Sequence, residues 1–253
     1  MAQHDPVAHH WAAAWFAGQT VLVTGGTSGI GAGISRGFAE AGAKLVCTGV
    51  SEAEIDAARQ DPLLSTCRLE RLDVRDRAAV ERLVSSFSEL DVVVNCAGVI
   101  RRGAELDPDV FSDVVDVNLT GSMRVCAAAR SKLAERGGSI VNLASMLSFF
   151  GGGLVPGYSA SKGGIAQMTK SLAIAYAADG IRVNAIAPGW IETPLTHELQ
   201  QDEERRTAII NRTPLKRWGK PADLVGGVLF LCSPAAEFIT GTILPIDGGY
   251  LIT

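Results

Sequence analysis

Residues 20 to 50 run strand, glycine-rich turn, helix, strand, and this order limits the chain more than any other feature. TVLVT (20–24) is a β-branched run that reads as a buried strand. It ends in TGGTSGIG (24–31). ISRGFAEAGA then places Ile34, Phe38 and Ala41 on one helical face, and KLVCTGV (44–50) returns to a strand pattern. The result is a βαβ unit. Its turn aims backbone N–H groups and a helix N-terminus at one point, which suits an anion. The glycines fall at Gly25, Gly29 and Gly31, a G-x3-G-x-G spacing that differs from the G-x-G-x-x-G dinucleotide fingerprint. A glycine-rich turn that holds no ligand is the competing reading.

The pattern repeats. SEAEIDAAR suits a helix, RLERLDV (68–74) a strand, DRAAVERLVSSF a helix and LDVVVNCAG (90–98) a fully buried strand. Residues 108–136 are helical, with Asp107 as N-cap and Pro108 in the first position. Gly121 interrupts them, so two helices or one bent helix fit. GSIVNLAS (138–145) and IRVNAIAP (181–188) are further strands, separated by a helix from about Tyr158 to Ala178. Pro221 opens another helix, and TGTILPIDGG (240–249) is the last strand. Seven strands alternating with helices predict one α/β domain, a doubly wound parallel sheet covered on both faces. Its 253 residues, 47% of them apolar, suit a single large domain at 19–253 after an N-terminal extension at 1–18. The polar stretch 190–218 is long for a connection and predicts a mobile substrate lid with short helices.

A net charge of −4 and the absence of a basic stripe exclude a nucleic-acid partner. No run approaches the ~20 apolar residues of a membrane helix. The N-terminus lacks the cationic start of a secretory signal. Cys47, Cys67, Cys96, Cys126 and Cys232 lie far apart with no C-x-x-C pair, which reads as reduced thiols in a cytoplasmic protein. His4, His9 and His10 suit a weak metal site less well than a frayed terminus, so no metal ligands are expected. Trp11, Trp15 and Phe16 are placed to pin a short helix onto the body.

Ligands of such sheets bind beyond the carboxyl ends of the strands. The glycine turn, Asp73, Asn95, Ser145 and Pro188 all fall at such ends. Tyr158 and Lys162 follow Ser145 at i and i+4 on one helix face. An ammonium near a phenol favours the phenolate, which lets the phenol exchange a proton at moderate pH. A serine hydroxyl beside it both donates and accepts, and so holds a substrate oxygen. Taken alone, a Tyr and a Lys at this spacing are surface residues of an ordinary helix; the convergence on one edge argues otherwise.

TGGTSGIG, LDV, NCAG, VNLTG, the Ser-x12-Tyr-x3-Lys spacing, NAIAPG and a closing TG…DGG stand in the order of the classical short-chain dehydrogenase/reductase family, and residues 20–250 resemble it throughout. The resemblance implies a single-domain Rossmann fold using NAD or NADP. It implies that Gly25, Gly29 and Gly31 form the pyrophosphate turn, with Thr27, Ser28 and Ile30 in the same contact. Val50, Asp73 and Val74 would meet the adenosine, and Asn95, Ala97 and Gly98 the riboses. Pro188, Gly189, Ile191 and Thr193 would meet the carboxamide and phosphates. Asn118 would help hold a water in line with Lys162, Ser145 would orient the substrate oxygen, and Tyr158 would be the general acid/base. Lys162 would bind the nicotinamide ribose and lower the Tyr158 pKa. The usual NNAG reads NCAG here, with Cys96 in second place.

The second strand ends in Thr48, Gly49, Val50 and Ser51, with no cation for a 2′-phosphate, which favours NAD over NADP. GVIRRGAEL and NLASMLSFFGG most resemble gluconate and deoxy-gluconate dehydrogenases, so the expected substrate is a small sugar acid. Arg101 and Arg102 then face its carboxylate, unless they lie at the surface or in a subunit contact. Met146, Leu147, Trp190 and His197 are further candidates for the substrate wall. The alternatives are a non-catalytic dinucleotide sensor, or an enzyme of the same family acting on a different ketone such as a 3-oxoacyl group. Helices rich in Ala, Gly and Ser, which in that family pair between subunits, imply a homotetramer, with a dimer as the alternative.

Overall fold

Each predicted strand forms, and none runs beyond the stretch predicted for it. A computed structural model describes residues 9–253. The chain enters through a four-residue helix α1 (Ala13–Phe16), then β1 (Thr20–Thr24), α2 (Gly29–Glu40), β2 (Lys44–Gly49), α3 (Glu52–Arg59), β3 (Arg68–Arg71), α4 (Arg77–Ser85) and β4 (Val92–Asn95). The second half runs α5 (Pro108–Val115), α6 (Ser122–Ala134), β5 (Ser139–Leu143), α7 (Pro156–Tyr176), β6 (Arg182–Pro188), α8 (His197–Gln201), α9 (Glu203–Arg212), α10 (Pro221–Cys232) and β7 (Ile243–Ile246).

The strands form one sheet in the order β3-β2-β1-β4-β5-β6-β7, and every pairing is parallel. The order reverses between β1 and β4, which opens a crevice at their carboxyl ends. Alternate residues of β1 feed two cores, as the pleat requires. Val21 and Val23 pack with Phe16, Ile34, Phe38, Leu224 and Val228 on one face. Leu22 packs with Val80, Val93, Val125, Leu133, Ile140 and Leu172 on the other. Each such side chain contributes roughly 1.5–3 kcal/mol on full burial. That is why these strands read as unbroken apolar runs.

A row of buried polar groups crosses the second core. Asn95 Nδ2 donates to Asn142 Oδ1 at 2.9 Å, and Asn142 Nδ2 donates to Thr169 Oγ1 at 3.0 Å.

Three details go beyond the sequence reading. First, residues 108–134 do not break at Gly121. α5 passes into α6 through a π-helical turn, Asp116–Gly121, which accommodates one extra residue. Second, β3 stops at Arg71, so Asp73 lies in the turn beyond it. Third, Ser145 lies past the end of β5, where it caps a single 3-10 turn, Met146–Ser148. Phe16 does pin α1, stacking edge-on against Phe38 at 5.1 Å, whereas Trp11 is exposed. His4 and the side chains of His9 and His10 lie outside the described residues. Among the described residues no helix is long and apolar enough to cross a membrane, and no cluster of His, Cys, Asp and Glu suits a metal.

Candidate active site

At the crevice, the turn after β1 lies against the end of β4. A Cβ on Gly31 would fall 2.0 Å from the Gly25 carbonyl oxygen, so only glycine lets the turn close on itself. The first turn of α2 carries no acidic residue, and its N-cap Ser28 makes no side-chain capping bond. Its positive end is therefore free for an anion. Gly25, Ser28, Gly29, Ile30 and Gly31 line a cleft of about 390 Å³. The same cleft is walled by Val50, Asp73, Val74, Ala97 and Gly98 at one end and reaches Tyr158, Lys162 and Thr193 at the other. Thr27 Oγ1 is buried with no hydrogen-bond partner beside it. A cleft that joins this phosphate-sized turn to the ends of β2 and β4 and to the Tyr158 helix fits a dinucleotide.

The proton-handling groups come from two elements. Lys162 is 3% exposed, and its Nζ donates to the Leu143 carbonyl at the end of β5 at 2.6 Å. It stands 5.4 Å from the centre of the Tyr158 ring. Ser148 Oγ donates to the Lys162 carbonyl at 2.7 Å, so Lys162 is tied both to the end of β5 and to the turn that Ser145 caps. Burial pushes the Tyr158 phenol up to about 12; the Ser145 hydroxyl bonded to it works in the opposite direction, and the Glu105 carboxylate adds to the rise. Burial also holds the Lys162 ammonium down, at about 8. This corrects the expectation that the lysine brings the phenol into the moderate range. Desolvation dominates both groups, and the lysine is the more acidic of the two.

Asn118 sits in the π-turn, 1% exposed. Its Oδ1 accepts from Val99 N at 2.7 Å, and its Nδ2 donates to Val99 O at 2.9 Å and Ser161 Oγ at 3.1 Å. The side chain is spent on fixing the cleft wall at Val99 and the Tyr158 helix. The Asn95 side chain donates along the sheet to Asn142 and Cys126, and Asn95 is not among the cleft walls. Cys96, at the altered motif position, does line the cleft.

The substrate candidates separate. Arg101 and Arg102 are both exposed; Arg101 lines the cleft and Arg102 lies outside its walls. Met146 is buried and Leu147 half-buried beneath the 151–155 loop, so neither is a cleft wall. Trp190, Gly189 and Ile191 line a second cavity of about 200 Å³ with Thr213, Leu215 and Asp247. His197 borders a shallow surface depression with Glu192 and Gln200. Pro188 is the last residue of β6, paired with Ile246.

Sequence reasoning missed two carboxylates. Glu54 lines the cleft at the tip of β2, where its Oε2 accepts from Val50 N at 2.9 Å. The signal was present: Ser51 and Glu54 form an S-x-x-E pair, whose acid reaches back to the strand end. Glu105 bonds to the backbone of Tyr158 from a polar segment with no periodic pattern.

Residues 25–251 match the sequence family described as enoyl-(acyl carrier protein) reductase. The chain is 39% identical over 249 residues to 2-dehydro-3-deoxy-D-gluconate 5-dehydrogenase of Pseudoalteromonas atlantica, covering 92% of this chain and 96% of that one. The chain belongs to the short-chain dehydrogenase/reductase family. The chain is also 40% identical over 245 residues to cis-4-hydroxycyclohexanecarboxylate dehydrogenase of Sinomonas cyclohexanicum, covering 93% of this chain and 97% of that one. In structure it resembles a gluconate 5-dehydrogenase of Burkholderia cenocepacia in complex with NADP and tartrate, with a TM-score of 0.87 at 33% identity, covering 94% and 97% of the two chains. As a member of this family it is an NAD(P)-dependent oxidoreductase, which fits the cleft.

Proposed function

We propose that this dehydrogenase transfers hydride reversibly between a nicotinamide and a secondary alcohol on a small sugar acid of the gluconate or deoxy-gluconate type. The observation that carries the reading is the placement of Arg101 in the same cleft as Tyr158 and Lys162. A guanidinium suits a carboxylate, and the compounds in the names of the three relatives above, two open-chain sugar acids and one ring acid, have a carboxylate and a hydroxyl in common. Their names support an acid; Arg101 is the residue that would hold it, since Arg102 lies outside the cleft walls.

The nicotinamide, when bound, accepts or returns the hydride at its ring. Tyr158 takes the hydroxyl proton in oxidation and returns it in reduction, a role worth about 10²–10⁴ in rate. Ser145 orients the reacting oxygen through the hydroxyl that it shares with the phenol. Lys162 holds the cofactor ribose and places positive charge beside the Tyr158 ring. Asn118 keeps the Tyr158 helix in place through Ser161. The glycine turn with Thr27 and Ser28 holds the pyrophosphate, and Asp73, Val74, Ala97 and Gly98 hold the adenosine side. Residues 190–218, with α8 and α9, form the substrate lid, bringing Trp190 and His197 to the substrate only on closing.

The preferred cofactor is NAD. Glu54 supports this, because a carboxylate at the tip of β2 accepts from a ribose 2′-OH and repels a 2′-phosphate. The five free cysteines support a reducing, cytoplasmic setting. Ile174 on α7 and Phe238 are among the most exposed apolar side chains, which supports a homotetramer buried through these faces.

The test is a panel of aldonates, deoxy-aldonates, simple secondary alcohols and 3-oxoacyl thioesters, read by nicotinamide absorbance. Turnover highest with the sugar acids, and lost in Tyr158→Phe with dinucleotide binding kept, is expected. Dinucleotide binding without turnover of any compound would favour a sensor instead. Highest turnover with the thioesters would move the substrate to the 3-oxoacyl class.

A further inference from the structure

Glu105 is 1% exposed. Its two oxygens are taken by backbone donors from two different segments. Arg101 N donates to Oε1 at 2.7 Å, closing the turn that carries Arg101. Tyr158 N donates to Oε2 at 2.7 Å. Tyr158 is the third residue of α7, and the N-cap Val155 has no side chain that accepts. Glu105 therefore does from outside what an N-cap residue does from within. It also places negative charge at the positive end of a 21-residue helix. Gly157 makes room for the carboxylate. A Cβ there would stand 3.3 Å from Glu105 Oε2 and 3.2 Å from Phe111 Cα. A third bond, from Gly103 N to the Leu154 carbonyl at 2.7 Å, joins the same two segments.

We propose that Glu105 is a positioning residue that clamps the Tyr158 helix to the Arg101 turn and so fixes the spacing between the proton-transfer group and the carboxylate-binding side of the cleft. This rests on the roles proposed above for Tyr158 and Arg101. A clamp of this kind acts as a ruler: the acid group and the reacting hydroxyl of a substrate must match one distance.

The charge of Glu105 has a second consequence, since it opposes the phenolate. Lys162 faces Tyr158 from its own helix, and Cys96, Arg101, Glu54, Asp73 and Arg75 line the same cleft. Asp113 and Asp116, on α5 and the π-turn, are held by Arg75 and Arg124. Removing the Glu105 charge makes Tyr158 easier to ionise. In alcohol oxidation the phenolate is the active form, so the acid limb of the rate profile moves to lower pH.

The experiment compares wild type, Glu105→Gln and Glu105→Ala for kcat, KM, the pH profile of alcohol oxidation and dinucleotide Kd. Gln keeps one accepting oxygen and Ala none. The expected order of kcat is wild type, Gln, Ala, with Ala lower by about tenfold or more, dinucleotide Kd within about twofold and the acid limb shifted down in both variants. A lower melting temperature with an unmoved limb and an unchanged kcat means that Glu105 only supports the fold, and overturns the proposal. If wild type turns over no secondary alcohol, the functional reading fails on its own. The tyrosinate absorbance titration, with Tyr158→Phe subtracted, and amide hydrogen exchange then decide on Glu105. A lower ionisation pH in Glu105→Gln reports the charge effect alone; faster amide exchange at Arg101 and Tyr158 in Glu105→Ala than in wild type supports the clamp, and unchanged exchange overturns it.

Discussion

Lys162 Nζ donates to the Leu143 carbonyl at 2.6 Å, so the lysine of α7 is fastened to the last residue of the inner strand β5. That bond orients the ammonium, but it does not replace the water that the group loses on burial. The result is a charged group held at a cost to the fold, as is common where chemistry requires it.

The cost depends on pH. The folded protein holds the Lys162 ammonium at about 8, below its ordinary 10.5. A group held down in this way stabilises the fold fully above 10.5, and that contribution is lost as pH falls through 8. Without added cofactor, the stability of wild type relative to Lys162→Met should fall by about 3 kcal/mol between pH 10.5 and pH 7. Urea unfolding of both proteins at the two pH values measures this. An equal change in both proteins would show that Lys162 is not desolvated.

Glu54 should govern cofactor choice. Glu54→Gln keeps an oxygen for Val50 N and removes the charge facing the cleft. The ratio of kcat/KM for NAD over NADP is expected to fall by about tenfold or more, mainly through a gain with NADP. A ratio that stays put would shift the discrimination to Arg71 or Arg75. Arg71 Nε donates to the Val50 carbonyl at 3.3 Å, and Arg75 forks Asp73 beside the same end of the cleft.

Gly31→Ala tests the phosphate turn. The added carbon meets the Gly25 carbonyl, a backbone atom that cannot swing aside. Overpacking of this kind costs about 1–3 kcal/mol, and the turn is expected to open. Dinucleotide Kd should rise by about tenfold or more together with a lower melting temperature. Binding and melting equal to wild type would mean that the turn is not the anion cradle.

The sheet was legible in the sequence because its inner strands are short, largely apolar runs buried on both faces, and the edge strands β3 and β7 recur in the same strand–helix alternation. Gly25, Gly29 and Gly31, with Tyr158 and Lys162, were legible because their spacing fixes their geometry. The π-turn was not, since Val114, Asn118, Ser122 and Val125 keep nearly the spacing of an ordinary helix. The sequence shows an irregularity at Gly121 but not its form. Glu105 was not legible either. Its partners are backbone groups four and fifty-three residues away, and backbone donors leave no trace in residue type. The division of the substrate candidates depended on how 190–218 folds back, which its polar, aperiodic composition does not encode. The raised phenol of Tyr158 followed from burial, a quantity that only the packed molecule defines.

The buried row from Asn95 through Asn142 to Thr169 bears on how the chain finds its alignment. β4 and β5 are neighbours whose contact faces are almost interchangeable: Val92, Val93 and Val94 stand opposite Ser139, Ile140 and Val141. A shift by two residues would keep every apolar side chain on its own face. It would also separate Asn95 from Asn142, which are exact partners across the pair. Each amide stranded in the apolar interior would cost about 1–3 kcal/mol. The asparagines thus act as a notch that lets two smooth surfaces lock at one setting, and that setting decides which residues emerge at the end of the sheet.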